Sequence, residues 1–205
     1  MEVSAHIDTF ARDNLPPGEQ WPEFLLDGPD VAYPKRFNCA VELVDAMVER
    51  GHGERIALRW PQDGKQATMT YRELAALTNR IARVLAEDMK LVPGNRLLLR
   101  GPNNPMMAAA WLAAIKAGLV TVPTMPLLRA KELKQIIEKA QIQAVLCDAR
   151  LKEEAEFCAQ PGHEHHCAEL AQIMYFNDTA PDALDALAVA CLLYTSPSPR
   201  DVEES

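Results

Sequence analysis

Arg96-Leu97-Leu98-Leu99-Arg100, then Gly101-Pro102-Asn103-Asn104, then Pro105 through Ile115 to Gly118, then Leu119-Val120-Thr121-Val122-Pro123 is the run that decides the fold. Its first five residues have an apolar centre and read as a short strand. Gly101 to Asn104 make a loop, and Pro105 suits the first turn of a helix, where a missing N–H costs nothing. The helix passes through Trp111 and Ile115 and stops at Gly118, a natural residue for the left-handed C′ position. Leu119 to Pro123 is the next strand.

Downstream the alternation repeats. Leu133, Ile136, Ile137 and Ala140 mark one face of a helix, Ala144 to Cys147 a strand, Leu151 to Cys158 a helix and Ile173 to Phe176 a strand. Short strand–helix connections imply mostly parallel strands joined by right-handed crossovers, with helices on both faces. The expected class is α/β.

Upstream, Thr70-Tyr71-Arg72-Glu73 fits a capping box, in which hydroxyl and carboxylate each satisfy an orphan backbone group. Leu74, Leu77, Ile81, Val84 and Leu85 follow at helical spacing. Before them, Ile56 to Trp60 and Ala67 to Met69 read as a hairpin turning at Asp63-Gly64. Asn38 is an N-cap for a helix carrying Val41, Leu43, Val44, Met47 and Val48, ended near Gly51. Residues 1–37 are rich in proline and charge, with Phe10, Trp21, Phe24, Pro29 and Tyr33 scattered among them, and read as an arm lying on the core. The expected organisation is arm 1–37, α/β domain 38–190 and a separate tail 191–205.

Composition narrows the function classes. The formal net charge of -8 disfavours binding to phosphate backbones and anionic lipid heads. The apolar stretch Met106 to Ile115, closed by Lys116, is too short to cross a bilayer. The N-terminus is neither basic nor followed by an apolar run, so no secretory signal is expected. Cys39, Cys147, Cys158, Cys167 and Cys191 show no framework spacing and read as reduced thiols of a cytoplasmic protein.

Two stretches carry a family likeness. Met69-Thr70-Tyr71-Arg72-Glu73-Leu74 resembles the T-Y-x-E-L element of the superfamily of acyl-CoA synthetases, adenylation domains and luciferases, and Ile115 to Pro123 resembles its K-A-G-x-x-x-V-P element. Leu98 to Pro105 resembles the strand-to-loop passage between them. His6 to Asp13, Leu15-Pro16-Pro17 and Trp21-Pro22 are similar to bacterial 2-aminobenzoate–CoA and benzoate–CoA ligases. The resemblance implies an incomplete N-terminal part of the adenylate-forming large domain. It implies a parent that activates an aryl or other carboxylic acid with ATP and Mg²⁺ to an acyl-adenylate, then transfers the acyl group to CoA. The family's phosphate loop, acidic metal contacts, acyl pocket and mobile-domain lysine all lie downstream of these elements. There is no G-x-x-x-x-G-K or G-x-G-x-x-G here. No catalytic, cofactor-binding or metal-ligating residue is therefore assigned, no cofactor is expected on this chain, and the chain alone is expected to be inactive.

The tail reads differently. Cys191 to Asp201, CLLYTSPSPRD, resembles the translation of a transposase sequencing adapter, and Val202 to Ser205 an index and its continuation. The expectation is that 191–205 is foreign to the protein and that the frame was cut near Ala190. Tyr194-Thr195-Ser196 resembles the opening of the family's phosphate loop. Pro197 and Pro199 follow it, and proline supplies neither the N–H groups nor the glycine conformations such a cradle needs. A cut domain leaves apolar surface uncovered, so self-association is expected.

Three groups could be taken for chemistry. Cys158, His163, His165, His166 and Cys167 hold zinc-type ligands at no standard spacing, and Pro161-Gly162 makes a polar loop the simpler reading. Lys116 is expected to reach solvent from an amphipathic helix. Asp148 ends a parallel strand, where α/β proteins place ligands, yet an N-cap role is favoured. Trp21, Trp60 and Trp111 are read as packing residues. The competing readings are a small α/β module that binds a nucleotide or metabolite without catalysis, and an interaction fragment whose Cys/His loop takes zinc.

Overall fold

The computed structural model describes residues 5–23, 28, 34 and 36–190. Phe24, Pro29, Tyr33 and the whole of 191–205 lie outside the described residues.

The described part of the arm holds a short helical turn, α1 (Phe10–Asp13), and a 3-10 turn at Gly18–Gln20. A hairpin of β1 (Ile56–Gln62) and β2 (Lys65–Thr70) forms a two-stranded antiparallel sheet. Its turn residues Asp63 and Gly64 have φ of 50° and 74°. Both are left-handed, as a two-residue turn matched to strand twist requires. The main sheet has four strands, β3 (Arg96–Arg100), β4 (Val120–Thr124), β5 (Ala144–Asp148) and β6 (Gln172–Phe176), in the order β4-β3-β5-β6. Every pairing in it is parallel. The α/β expectation holds.

Helices α2 (Tyr71–Arg83), α3 (Pro105–Lys116) and α6 (Leu184–Ala190) pack on one face, α4 (Ala130–Ala140) and α5 (Lys152–Ala159) on the other. The strands alternate to serve both. Leu97 and Leu99 join the α2–α3 side and Leu98 the α4–α5 side, while Leu146 and Val145 divide likewise. Each such buried side chain contributes about 2 kcal/mol. Helix α6 is not anticipated by the sequence pattern, which ends at β6. It is held by Leu184 and Ala188, both buried.

The ends of the helices are set by local chemistry. Thr70 Oγ1 accepts from Glu73 N–H at 3.3 Å, and Thr70 N–H donates to Glu73 Oε2 at 2.8 Å, completing the capping box. Leu74, Ile81, Val84 and Leu85 are buried as the spacing requires. At the end of α3, Gly118 has φ 74°. Its N–H donates to Ile115 C=O and Leu119 N–H to Ala114 C=O, both at 2.9 Å, the double bond of a Schellman turn.

Asn38 does more than cap. Its Oδ1 accepts from Ala40 and Val41 N–H at 3.1 and 3.3 Å. Its Nδ2 donates to Ile115 and Lys116 C=O at 3.0 and 3.2 Å, closing α3 as well. The segment it opens winds widely, as π-type turns over Val41–Asp45 and Val48–His52. Leu43 faces outward at 60% exposure, because the buried stripe runs through Ala40 and Val44 instead.

Lys116 overturns its expectation. The side chain is 3% exposed, 2.7 Å from Asp45 Oδ2, and Nζ donates to Thr78 Oγ1 at 3.1 Å and Asn79 Oδ1 at 2.8 Å. α3 is so rich in alanine on its inner side that α2 approaches closely, and the lysine stem is enclosed between them. A buried ammonium is tolerable only with its donors satisfied, and here oxygen atoms surround it.

Candidate functional site at the carboxyl edge of the sheet

In an open parallel sheet ligands bind outside the carboxyl ends of the strands, where the order reverses. From β3 the chain first goes to β4 on one side, then crosses to β5 on the other. The crevice between the ends of β3 and β5 is therefore the place to look.

Here the crevice is bridged by the chain itself. Asn104, in the loop after β3, caps α3 by accepting from Met107 N–H at 2.8 Å, and its Nδ2 donates to Asp148 Oδ2 at 3.3 Å. Asp148, at the end of β5, is fully buried. Its Oδ1 accepts from Arg150 N–H at 3.1 Å, so it is the N-cap that its position suggested, opening the turn Ala149–Leu151. It also accepts from Arg150 Nε and Nη2, both at 2.8 Å, and from Asn177 Nδ2 at 2.7 Å. Burial pushes the Asp148 carboxyl up, but the bonds from Arg150 and Asn177 outweigh it and hold the pKa below its ordinary value.

Arg100, at the end of β3, is 1% exposed. It turns from the crevice into the α4–α5 side and donates to Pro126 and Leu128 C=O at 3.1 and 2.9 Å, with weaker bonds to Leu151 and Met125 C=O. A guanidinium with five donors suits such a nest of carbonyls.

The carboxylate at this edge does not fit the implied Mg²⁺. Asp148 is the buried carboxylate among the described residues, and Arg150, Asn104 and Asn177 occupy both its oxygens. A hydrated magnesium ion needs carboxylate oxygens left free.

Beside the crevice a groove of about 470 Å³ runs between the hairpin and α3, lined by Leu58, Trp60, Asn103, Met107, Trp111 and Pro123 among others. Trp111 is 47% exposed and Trp21 48%, so these two are surface residues rather than core packing. Their indole N–H groups are satisfied within the chain, by Thr121 Oγ1 at 2.9 Å and Pro16 C=O at 2.7 Å.

The Cys/His loop does not converge on a metal. No group of three or more His, Cys, Asp or Glu side chains is placed to hold one among the described residues. His163 instead stacks on Phe157, centroids 4.6 Å apart and planes 5° from parallel, and accepts from His165 N–H. Likewise, no described helix is long and apolar enough to cross a membrane.

A family profile described as AMP-binding enzyme matches residues 45–198. The match runs past Ala190 as far as residue 198. An uncharacterised acyl–CoA ligase, YtcI, of Bacillus subtilis (strain 168) is 31% identical over 123 residues, which is 60% of this chain and 22% of that one. Among solved structures, the anthranilate CoA ligase AuaEII in complex with anthranoyl-AMP superposes with TM-score 0.65 at 16% identity, over 77% of this chain and 28% of that one. A benzoate CoA ligase from Burkholderia xenovorans LB400 does so with TM-score 0.62 at 22% identity, over 76% of this chain and 29% of that one. These two likenesses are of fold. The chain spans less than a third of the length of each of these proteins.

Proposed function

Because this chain belongs to the AMP-binding enzyme family, we propose that it is the N-terminal scaffold of an AMP-forming acid–CoA ligase acting on an aryl carboxylic acid, and that alone it turns nothing over. The parent joins the carboxylate to the AMP moiety of ATP, releasing pyrophosphate, and then passes the acyl group to the CoA thiol. Residues 191–205 are, in this reading, foreign to the parent.

The bridged crevice carries the scaffold reading. Asn104 and Asp148 spend their polar atoms on helix caps and on each other, where a nucleotide-binding sheet of this kind would leave donors free. The aryl preference is supported by the arm, His6 to Asp13 and Trp21-Pro22, with its likeness to 2-aminobenzoate–CoA and benzoate–CoA ligases.

Measurements on the purified chain and on its source DNA test this. Purified chain with ATP, Mg²⁺, CoA and benzoate or 2-aminobenzoate is expected to release no pyrophosphate and to retain no ATP in native mass spectrometry. Retained ATP favours the alternative, a small α/β nucleotide-binding module. Sequencing source DNA outward from codon 115 is expected to continue the frame into a Ser/Thr/Gly-rich loop. The protein encoded by that longer frame is then expected to form aryl-CoA thioesters in preference to acetyl-CoA.

A further inference from the structure

Two thiols meet where α5 ends. Cys158, in its last turn, and Cys167, beyond the His163–His166 loop, are both fully buried and neither is in a disulfide. Cys167 N–H donates to Cys158 C=O at 2.8 Å. Standard backbone dimensions then place the two Cα atoms no more than about 6.7 Å apart. A disulfide tolerates about 4.4–6.8 Å. Both side chains lie in one buried cluster, where Cys158 Sγ donates to Glu154 and Ala130 C=O at 3.5 and 3.6 Å and Cys167 Sγ to His165 C=O at 3.5 Å.

The surroundings favour a covalent link over a bound cation. Lys134 Nζ donates to His166 C=O at 2.7 Å, so a positive charge already stands against the loop. His163 is committed to its stack on Phe157. Gly162, at φ 85° with open space around it, gives the loop a pivot between the two cysteines.

We propose that Cys158 and Cys167 form a dithiol modification site that closes to an intramolecular disulfide, stapling the end of α5 to the segment leading into β6. With oxidised glutathione as the reactant, one thiol loses its proton and attacks a sulfur of the small disulfide, expelling one glutathione thiolate. The second thiol loses its proton and displaces the other glutathione from the mixed disulfide. The two protons pass to the two glutathione thiolates, the protein pair is oxidised and the glutathione disulfide is reduced.

Burial sets the rate. It pushes the Cys158 thiol up to about 12 and raises Cys167 as well. Lys134 from α4 opposes this, while Glu138 from α4, Glu154 from α5 and Glu169 beyond the loop reinforce it. Closure is therefore slow near neutrality and accelerates as the pH rises, because the thiolate is the attacking species.

The test uses the full chain in native buffer with oxidised glutathione, followed by iodoacetamide and cleavage at glutamates. Cleavage after Glu164 falls between the two cysteines. The expected product is a pair of fragments still joined through Cys158 and Cys167, parted by reductant, in a protein whose melting temperature has risen. Cys158→Ala is expected to lose the joined pair while keeping its far-ultraviolet spectrum. Recovery of both residues as separate alkylated or glutathione-capped peptides overturns the proposal, as does a link that appears only in urea. Should Cys158→Ala fail to fold, the mapping in the unaltered chain decides alone.

Discussion

Asp8 and Arg96 form an ion pair at the amino edge of the sheet, joining residues 88 positions apart. Asn95 Nδ2 adds a bond to the same Asp8 oxygen at 2.8 Å. Arg96 also donates to Ala140 and Gln141 C=O, both at 2.9 Å, and lies 4.6 Å over the Phe10 ring. One guanidinium thus ties the arm, β3 and the end of α4 together. Asp8→Ala is expected to cost roughly 3 kcal/mol in urea unfolding, as the loss of one partner of a largely buried pair does. The arm should then be cut by trypsin at Arg12 well before the core.

Acid should find the same contacts. Burial pushes the Asp8 carboxyl up, but the bonds from Phe10 N–H, Arg96 and Asn95 together bring its pKa below the ordinary value, and Asp148 is lowered too. A carboxyl lowered in the folded state stabilises fully above its unfolded pKa of about 3.9, and that stability is lost as the pH falls through the folded value. Melting temperature is expected to hold from pH 6 to about 4 and then fall. Asp8→Asn should lie lower at pH 6 and fall less steeply; an identical slope in the two proteins would falsify the assignment.

Gly94 is expected to be irreplaceable. Its φ is 93°, and a Cβ there would lie 2.0 Å from Asp8 C=O. Gly94→Ala should cost about 2 kcal/mol or more from backbone strain and arm displacement. At Gly51 φ is 81° but a Cβ meets nothing within 4 Å, so Gly51→Ala should cost about half as much. Equal losses in urea midpoints would show that the arm does not press on Gly94.

The enclosed Lys116 makes a separable prediction. Lys116→Met alone is expected to lose about 3 kcal/mol, because Asp45 keeps its charge without a counterion. Adding Asp45→Leu should restore more than half of it, giving a coupling of about 1.5 kcal/mol or more in a double-mutant cycle. Additive losses would mean the ammonium interacts mainly with Thr78 and Asn79.

At the carboxyl edge, Asp148→Ala removes an N-cap and leaves two amides without their acceptor, and should cost about 2–3 kcal/mol. Asp148→Asn retains the cap and should cost about 1 kcal/mol. Denaturant midpoints for the two variants check the order.

Self-association is expected on the side of β4, an edge strand followed by Met125 and Leu127, 63% and 82% exposed. Sedimentation of the purified chain should show oligomers, and Met125→Glu with Leu127→Lys should shift it toward monomer. An unchanged distribution would place the contact elsewhere.

What was readable in the sequence was local. Asp63-Gly64, Thr70 with Glu73, Pro105 and Gly118 each act within a few residues, and each does in the structure what its chemistry requires. Strand order was not readable, because β5 could pair on either side of β3 without any change in hydrophobic pattern. Lys116 misled for a related reason. Helical periodicity marks a face, but only the approach of α2 and the Asn38–His52 segment shows that a polar position on it is enclosed. At the candidate site, Asp148 was legible as a cap, whereas its bonds to Asn104 and Asn177 span 44 and 29 positions and have no sequence signature.

β3 carries a guanidinium at each end, Arg96 at 4% exposure and Arg100 at 1%, with three leucines between. Leucines alone would let the strand slide, since one aliphatic side chain fits a neighbour's place nearly as well as another. The arginines forbid it. A shift of one residue exchanges the two faces of the sheet and draws both charges away from the carbonyls of Ala140, Gln141, Pro126 and Leu128. Misthreaded arrangements of the central strand therefore carry two stranded cations, and the alignment with β4 and β5 is selected by what the wrong alternatives lose.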